Sequence, residues 1–399
     1  MSRVILFTGK GGVGKTTVAA ATAAAAAAGG GRVLITSTDP AHSLADAYDV
    51  VVGDDPTAVA PNLHAQQIDA QSRLEHHWHD IRDYLVELLA WGGLGDVQAQ
   101  ELVLVPGFDE LFALLDIQQH IDDGAYDLIV VDCAPTAETL RLLALPDALQ
   151  WYADRLLGTG RKVARAVRPI AERVGTVPVP SDNVFGAVER LQRRLADVHA
   201  TLQDPARSSV RLVVNPERMV IAEARRMATS LALFGYAVDA VVANRVLPDE
   251  VTDPYLARWK QRHAEHLETI HASFAPTPIL TAPLHDDELV GVDAVRAMGE
   301  RLYDDHRPAD VLHTSAPMVV EPTGDGWVLR MPLPFAGRDD LDLHRRGADL
   351  HVRVGALKRT VALPAALRSA RVAGARLDDG MLEVRFATAV AASTGTATR

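Results

Sequence analysis

The feature that most constrains this chain is a glycine-rich loop close to its amino end, Gly9-Lys10-Gly11-Gly12-Val13-Gly14-Lys15-Thr16. The loop stands between an apolar run, Val4–Phe7, that predicts a buried strand and an alanine-rich segment, Lys15–Ala28, that predicts a helix. Glycines in such a loop let backbone N–H groups turn towards a phosphate, and the helix amino terminus adds a positive partial charge. The sequence therefore predicts a phosphate-binding loop in an α/β fold with a mostly parallel sheet.

Three side chains of the loop suggest its chemistry. Lys15 is placed to reach the β- and γ-phosphates of a nucleotide, and the Thr16 hydroxyl is placed to reach Mg²⁺. Lys10 adds a second amine, and so tight a loop cannot use both amines on one nucleotide from the same side without crowding. We therefore expect Lys10 to reach the nucleotide of a facing subunit, as an arginine finger does.

Two carboxylates stand where predicted strands end. Asp39 follows the strand Arg32–Thr36, and Asp132 follows four apolar residues, 128–131. Because the carboxyl ends of parallel strands face the ligand crevice, Asp39 can orient an attacking water and accept its proton. Asp132 fits the Walker-B position, which holds Mg²⁺ through water. We include Thr16, Asp39 and Asp132 in the predicted magnesium site; the alternative for each aspartate is a turn or helix-capping role.

The length of 399 residues favours two to three domains. Helical periodicity over roughly 70–125 and 145–205 predicts a helical insert within the first domain. Near residue 306 the sequence becomes poor in large apolar residues, and beyond it short alternating segments with Gly-Asp and Asp-Gly turns predict a small all-β sandwich. The predicted division is a nucleotide-binding domain at 1–305, a linker at 306–316, a β-sandwich at 317–388 and a disordered tail at 389–399.

Charge and cysteine content exclude several classes of protein. Asp and Glu number 52 against 40 Lys and Arg, so the formal net charge of -12 argues against a nucleic-acid-coating role. The single cysteine, Cys133, excludes an intrachain disulfide and a thiolate metal cage, and fits a reducing compartment. No targeting segment or membrane span is evident, and we expect a cytoplasmic protein.

Four motifs follow one another along the chain: Gly9–Thr17, Asp39-Pro40-Ala41-His42 with Leu44 and Asp46, Pro106-Gly107-Phe108-Asp109-Glu110, and Asp132-Cys133-Ala134-Pro135-Thr136 with Thr139-Leu140-Arg141-Leu142-Leu143. In order and spacing they resemble the arsenite-pump-driving and tail-anchored-protein-targeting ATPases, which carry the signature-lysine P-loop. The resemblance covers roughly residues 1–305 and implies a Mg²⁺-dependent ATP hydrolase that works as a homodimer.

The resemblance also implies roles for single residues. It makes Asp39, with Lys10 and Lys15, the catalytic set, and it places Asp39 in switch I and Asp132–Arg141 in switch II. Asn244 resembles the family's adenine-binding asparagine, and no Asn-Lys-x-Asp sequence follows it, which argues against guanine. The nucleotide-binding set is then Gly9, Lys10, Gly11, Gly12, Val13, Gly14, Lys15, Thr16, Thr17 and Asn244.

The chain departs from the family pattern at four positions. Ser43 stands where the family often has Asn, Ala137-Glu138 replaces a common Gly-His pair, and Cys133 replaces Thr. The carboxyl-terminal part resembles the α-crystallin fold of small heat-shock proteins through 375–384 and Leu333-Pro334-Phe335.

The sequence leaves three functions open. The apolar segments Tyr84–Trp91 and Glu101–Val105 favour a groove for an apolar protein client, or else ordinary helix packing. A metalloid pump's energising ATPase is disfavoured by the lone cysteine, and a slow regulatory or positioning switch is the third reading. A membrane receptor is a further candidate partner, and the regulatory switch would bind a membrane or a scaffold in a nucleotide-dependent way. Histidines at 76–79 and 263–271 are interpreted as solvated helix faces, with a metal site as the alternative. The basic stretch at 155–173, which holds five arginines and Lys162, is interpreted in the same way, with anionic lipid or an acidic partner as the alternative.

Overall fold

The computed structural model describes residues 2–39, 43–68, 108–134, 139–140, 143–144, 182–314, 318–368 and 370–387. Its contacts divide the chain into two compact units. The first comprises Met1–Ala224 and Val238–Thr314, and the second comprises Arg225–Ala237 and Ser315–Arg399. The second unit is therefore assembled from two separate parts of the chain, which the sequence analysis did not anticipate.

The first unit is built on an eight-stranded sheet in the order β3-β4-β2-β5-β1-β6-β7-β8. All neighbouring strands are parallel except the edge pair of β3 and β4. The fold class read from the sequence is therefore confirmed for this unit. The strands are β1 (Arg3–Thr8), β2 (Val33–Ser37), β3 (Thr57–Ala60), β4 (Leu63–Gln67), β5 (Leu128–Asp132), β6 (Ser208–Val214), β7 (Val238–Val246) and β8 (Ile279–Pro283).

Helices connect these strands. The central strands are continuous apolar runs; every residue of β5 is buried, as is typical of a parallel sheet covered on both faces. The helices are α1 (Lys15–Ala28), α2 (Ser43–Tyr48), α3 (Phe108–Asp123), α4 (Asp182–Gln203), α5 (Arg218–Phe234), α6 (Ala257–Phe274) and α7 (Val292–Tyr303).

Helix α1 packs closely against α7. A Cβ atom at Gly299 of α7 would lie 2.1 Å from the carbonyl oxygen of Ala21, so the two backbones approach at a point where no side chain fits. One turn away the Thr22 hydroxyl lies 2.8 Å from the Tyr303 hydroxyl. The alanine-rich sequence of α1 thus provides a small-residue surface that places the helix, and the loop preceding it, firmly against the unit.

The first unit contains a buried cation, Arg211. Arg211 of β6 is fully buried, and its Nε lies 3.2 Å from Oδ1 of Asp239 on β7, which is also fully buried. Its Nη1 donates to the Tyr303 hydroxyl and to the Pro308 carbonyl, each at 2.8 Å, and its Nη2 donates to the Asp310 carbonyl at 3.0 Å. Arg211 therefore fixes the backbone that follows α7.

The second unit is antiparallel and confirms the predicted β-rich carboxyl-terminal part. One sheet has the order β14-β15-β10-β9 and the other β11-β12-β13. Leu329, Leu350 and Leu382 lie in the core between the sheets, and Leu233 from the last turn of α5 belongs to the same buried cluster. The elements are β9 (Val319–Thr323), β10 (Gly326–Pro332), β11 (Leu341–Arg346), β12 (Asp349–Val354), β13 (Leu357–Ala362), α8 (Ala365–Arg368), β14 (Arg371–Asp378) and β15 (Met381–Ala387).

Several predicted features lie outside the described residues. These are the apolar segments Tyr84–Trp91 and Glu101–Val105, the histidines at 76–79, the arginines at 155–173, most of switch II and the tail. Helices α3 and α4 are the described parts of the predicted insert. Among the described residues, no helix is both long enough and apolar enough to cross a membrane.

Candidate functional site

The glycine-rich loop joins β1 to α1 at the carboxyl edge of the sheet. Gly14, the residue before α1, has a left-handed backbone with φ 90°. A Cβ atom there would lie 2.5 Å from Nδ2 of Asn244, so both the backbone conformation and the space require glycine. The first turn of α1 follows directly. Its N–H groups have no partner within the helix and can bind an anion in the loop.

The two lysines of the loop differ in their exposure. Lys15 is only 6% exposed and begins α1. Lys10 is half-buried and lies near the other end of the loop. The role of Lys10 towards a facing subunit stays a prediction.

Asp132 occupies the centre of the site. It is fully buried at the end of β5, in register with Phe7 of β1 and Ser37 of β2. Its Oδ2 accepts hydrogen bonds from the Thr16 hydroxyl at 2.8 Å and from the Ser37 hydroxyl at 3.3 Å. The strand that ends in this carboxylate thus meets the first turn of α1.

The environment of Asp132 raises the pKa of its carboxyl group to about 6. Burial is the main cause, and the negative charge of Asp39 adds to it, while Thr16, Lys15 and Ser37 act in the opposite direction. Because Ser37 of β2 is in register with Asp132 of β5, Asp39 follows β2 at the same edge of the sheet.

The residues around Asp132 fit a hydrated Mg²⁺ ion. Its Oδ1 is buried and has no hydrogen-bond partner among the described residues. The neighbouring groups are hydroxyl oxygens, of Thr16 and Ser43, which lie 3.1 Å from each other. Mg²⁺ prefers such oxygen ligands, keeps several waters and is bound through one or two carboxylates together with substrate phosphates. A buried carboxylate oxygen without a partner is the group that such an ion would satisfy.

Asp39 follows β2 and is half-buried. Its N–H donates to the Ser37 hydroxyl at 3.2 Å, and its carbonyl accepts a hydrogen bond from Gln67 at 2.7 Å. These contacts hold the backbone of Asp39 directly after β2, and its role towards an attacking water stays a prediction.

The segments that follow β2 and β5 are hydrogen-bonded to each other. The Thr38 N–H donates to the Asp132 carbonyl at 3.0 Å, and the Ala134 N–H donates to the Thr38 hydroxyl at 3.2 Å. The Thr139 hydroxyl, which also contacts Thr8, donates to the Ala134 carbonyl at 2.6 Å. A shift of either segment therefore acts on the other.

Asn244 lies beside the loop and is buried. Its Nδ2 donates to the Val13 carbonyl at 2.8 Å. The structure thus places this predicted nucleotide-binding residue against the loop backbone, and its role towards adenine stays a prediction. Nδ2 has a second hydrogen, and the amide oxygen can accept, so loop and base contacts are compatible.

Sequence reasoning missed several residues of the site. Ser37 and Arg245 were not selected, and Ser43 was noted only as a departure from the family pattern. Ser37 could have been found from its place at the end of β2, two residues before Asp39. Arg245 could not, because its contact with the loop depends on how β7 pairs with β8.

The described part of the chain holds no group of three His, Cys, Asp or Glu side chains that could bind a metal ion. The histidines at 76–79 lie outside that part. Nδ1 of His263 accepts a hydrogen bond from the Leu247 N–H at 3.2 Å, which gives this histidine a structural role. Cys133 is buried, and burial raises the pKa of its thiol, so the thiol stays neutral.

A glycine-rich loop between strand and helix, with a buried carboxylate on the adjacent strand against the loop threonine, defines the class of P-loop nucleoside triphosphatases. Within this class the chain belongs to the family described as anion-transporting ATPase, whose model matches residues 2–304. Residues 324–386 match a second model, described as an HSP20-like domain found in ArsA. The chain is accordingly an ATP hydrolase.

Three relatives illustrate the range of the family. A "Putative arsenical pump-driving ATPase" of Prosthecochloris vibrioformis is 35% identical over 387 residues, which cover 96% of each chain. An "ATPase ASNA1 homolog 1" of Paramecium tetraurelia is 28% identical over 310 residues, 75% of this chain and 91% of the relative. An "ATPase GET3" of Mycosarcoma maydis is 26% identical over 316 residues, 75% of this chain and 90% of the relative.

Proposed function

We propose that this chain is a homodimeric, Mg²⁺-dependent ATPase that couples ATP hydrolysis to the capture and release of an apolar protein segment. The observation that carries the nucleotide part is the contact between the Thr16 hydroxyl and the buried Asp132 carboxylate at the mouth of the glycine-rich loop. This pair links the element that binds phosphate to the strand that leads into switch II.

In the proposed site the loop amides and Lys15 bind the β- and γ-phosphates. Thr16 and Asp132 hold Mg²⁺, which when bound neutralises the charge that develops on the phosphates. Asp39 positions a water for attack on the γ-phosphorus and accepts its proton. Lys10 acts on the nucleotide of a second subunit in this proposal. Each chain has one such loop, so a site that encloses two nucleotides between two loops needs two chains.

The coupling follows from the hydrogen bonds between the two segments after β2 and β5. Loss of the γ-phosphate changes what Asp39 and its neighbours can contact. When the segment after β2 moves, Ala134 moves with it, because the Ala134 N–H is hydrogen-bonded to the Thr38 hydroxyl. Thr139 follows, because its hydroxyl is hydrogen-bonded to the Ala134 carbonyl. Switch II then moves relative to the predicted helical insert and weakens the hold on a client.

Two features support an apolar client. The motifs of the chain resemble those of the tail-anchored-protein-targeting ATPases, whose clients end in an apolar anchor. Its sequence also contains apolar segments, Tyr84–Trp91 and Glu101–Val105, that exceed what one buried helix stripe requires.

A second candidate, the energising ATPase of an arsenite or anion efflux system, is favoured by the printed name of the Prosthecochloris relative. Its weakness is chemical, because trivalent arsenic binds thiolates and the chain has one cysteine. Burial keeps that thiol neutral and inaccessible. Arsenite that stimulates ATP hydrolysis in the purified protein would favour this candidate over the first.

The decisive experiment offers a defined client. The Asp39→Asn variant with ATP and Mg²⁺, which we expect to hold the closed dimer, is mixed with a soluble reporter that ends in a single apolar anchor. The same reporter without its anchor is the matched control, and Lys15→Ala is the control for nucleotide dependence. Co-elution that needs the anchor, ATP and Lys15 supports targeting. A dimer that never retains the reporter supports the slow regulatory switch instead.

A further inference from the structure

A β-bulge in β7 lies beside the glycine-rich loop. Ala243 pairs with Thr281 of β8, and the next pair is Val246 with Pro283, so two residues of β7 oppose one of β8. These two residues are Asn244 and Arg245. Bulges next to active sites commonly redirect side chains, and here both side chains are turned to the loop.

The bulge requires an unusual backbone at Arg245. Its φ is 58°, in the left-handed region that side-chain-bearing residues rarely adopt. Such strain persists where the surrounding structure enforces it, and it clusters at functional sites. Glycine would relieve the strain at this position. The presence of arginine therefore suggests that its side chain has a function.

Arg245 and Asn244 contact successive carbonyl groups of the loop. Nη1 of Arg245 donates to the Gly12 carbonyl at 2.9 Å, and Nδ2 of Asn244 donates to the Val13 carbonyl at 2.8 Å. The two carbonyls belong to peptide groups whose N–H groups are those of Val13 and Gly14. Both side chains therefore bind the carbonyl side of peptides whose N–H side is available to phosphate.

A hydrogen bond to a carbonyl polarises the same peptide group and strengthens its N–H as a donor. The effect is larger when the donor is charged, as a guanidinium is. Arg245 also brings a positive charge within one peptide group of the position that phosphates would occupy. Asn244 makes the corresponding hydrogen bond but carries no charge, so the two residues are expected to contribute differently to phosphate binding.

We propose that Arg245 is a positioning residue of the phosphate loop: it fixes and polarises the Gly12–Val13 peptide and thereby raises the affinity for the nucleotide's phosphates, without contacting the reacting atoms. This inference rests on the proposed role of the loop as the nucleotide site. It predicts an effect on binding that is equal for ATP and ADP and small on the chemical step.

The test compares Arg245→Gly with the wild-type protein. Glycine suits the left-handed backbone, so this variant removes the side chain while relieving the strain, and it is expected to fold at least as well. Arg245→Lys keeps the charge on a flexible stem. Arg258→Ala, an exposed position on α6 outside the site, is the control for loss of one positive charge.

Dissociation constants for ADP, ATP with Mg²⁺, and pyrophosphate are measured by calorimetry, and KM and kcat are measured for ATP hydrolysis. For Arg245→Gly we expect each dissociation constant and KM to rise by about fivefold, the effect of one exposed charge-assisted hydrogen bond. We expect kcat to stay within about twofold, Arg245→Lys to recover part of the affinity, and Arg258→Ala to match the wild type.

Three results would overturn the inference. Unchanged affinities in Arg245→Gly would mean that the side chain is irrelevant to binding. A loss for ADP but not for pyrophosphate would assign Arg245 to the base or sugar. A fall in kcat at unchanged affinity would make it part of the chemistry. Failure of the wild-type protein to bind any nucleotide would refute the proposed site itself, which is a separate outcome.

Discussion

The Thr16 hydroxyl donates to the Asp132 carboxylate at 2.8 Å, although 116 residues separate them in the chain. This contact joins the first turn of α1 to the end of β5. The same carboxylate has its second oxygen buried and without a partner among the described residues. These two observations support the proposal that Asp132 and Thr16 would hold Mg²⁺.

Asp132 predicts a pH dependence of stability in the protein without nucleotide. Its folded-state pKa of about 6 lies above the ordinary value of 3.8, so the native state keeps this proton longer than the unfolded chain does. The protonated carboxyl therefore contributes stability below about pH 4, and this contribution is lost as the pH rises towards 6. The amplitude for the one group is about 3 kcal/mol at most.

Asp132→Asn removes this titration. We expect the melting temperature of the wild type relative to the variant to fall as the pH rises from 4.5 to 7, when metal and nucleotide are absent. Scanning calorimetry at four pH values measures the difference. Parallel curves for the two proteins would show that Asp132 is ionised in the folded state throughout this range.

Replacement of each loop lysine by alanine should affect nucleotide binding and turnover differently. Lys15→Ala should abolish nucleotide binding, because the amine inside the loop is lost. Lys10→Ala should keep binding and lower turnover by about a thousandfold or more if it acts as a finger. Lys260→Ala, on α6, is the control. Near-normal turnover of Lys10→Ala would exclude the role across the dimer.

Mixing the two lysine variants tests whether Lys10 acts on the facing subunit. A Lys15→Ala chain binds no nucleotide but still carries Lys10, which can complete the site of a Lys10→Ala partner. An equal mixture with free exchange has half heterodimers with one complete site each, so about a quarter of wild-type turnover should return. Two inactive variants that stay inactive together would place Lys10 in its own subunit's site.

The buried cation Arg211 should be needed for folding rather than for catalysis. Arg211→Met removes the guanidinium beside the fully buried Asp239, although Nη2 of Arg3 still lies 3.2 Å from its Oδ2, and should destabilise the protein by about 3 kcal/mol. The double variant Arg211→Met, Asp239→Leu should recover part of this loss, because no unpaired carboxylate stays buried. Urea unfolding followed by circular dichroism measures both. A double variant that is less stable than the single one would contradict this explanation.

Leu233 should stabilise the second unit although it lies on helix α5. It is fully buried in the core of that unit, and the Arg359 guanidinium donates to its carbonyl. Leu233→Ala should therefore lower the stability of the β-rich unit by about 3 kcal/mol. Met219→Ala, near the other end of the same helix and 75% exposed, should have little effect. Limited proteolysis of the 318–387 region reports on the unit, and equal digestion of the two variants would argue against this role.

The sequence predicted the local parts of the fold well. The loop, the strand Leu128–Asp132 and the β-rich carboxyl-terminal part each leave a pattern within a few neighbouring residues, because apolar runs, alternation and glycine spacing are local signals. Contacts that depend on strand pairing left no such pattern. The bulge that directs Arg245 to the loop requires the register of β7 against β8, and the Ser43 hydroxyl reaches Thr16 only through the path of the chain after β2.

Helix α5 has a consequence for how this protein can be divided. The matched HSP20-like segment, residues 324–386, lacks Leu233, which was synthesised about ninety residues earlier and completes its core. Separation of the chain at the linker would therefore leave an apolar gap on one fragment and an exposed leucine on the other. Recombination at the linker alone could not transfer the β-rich unit intact, and a genetic exchange that preserved both parts would have to include the end of α5.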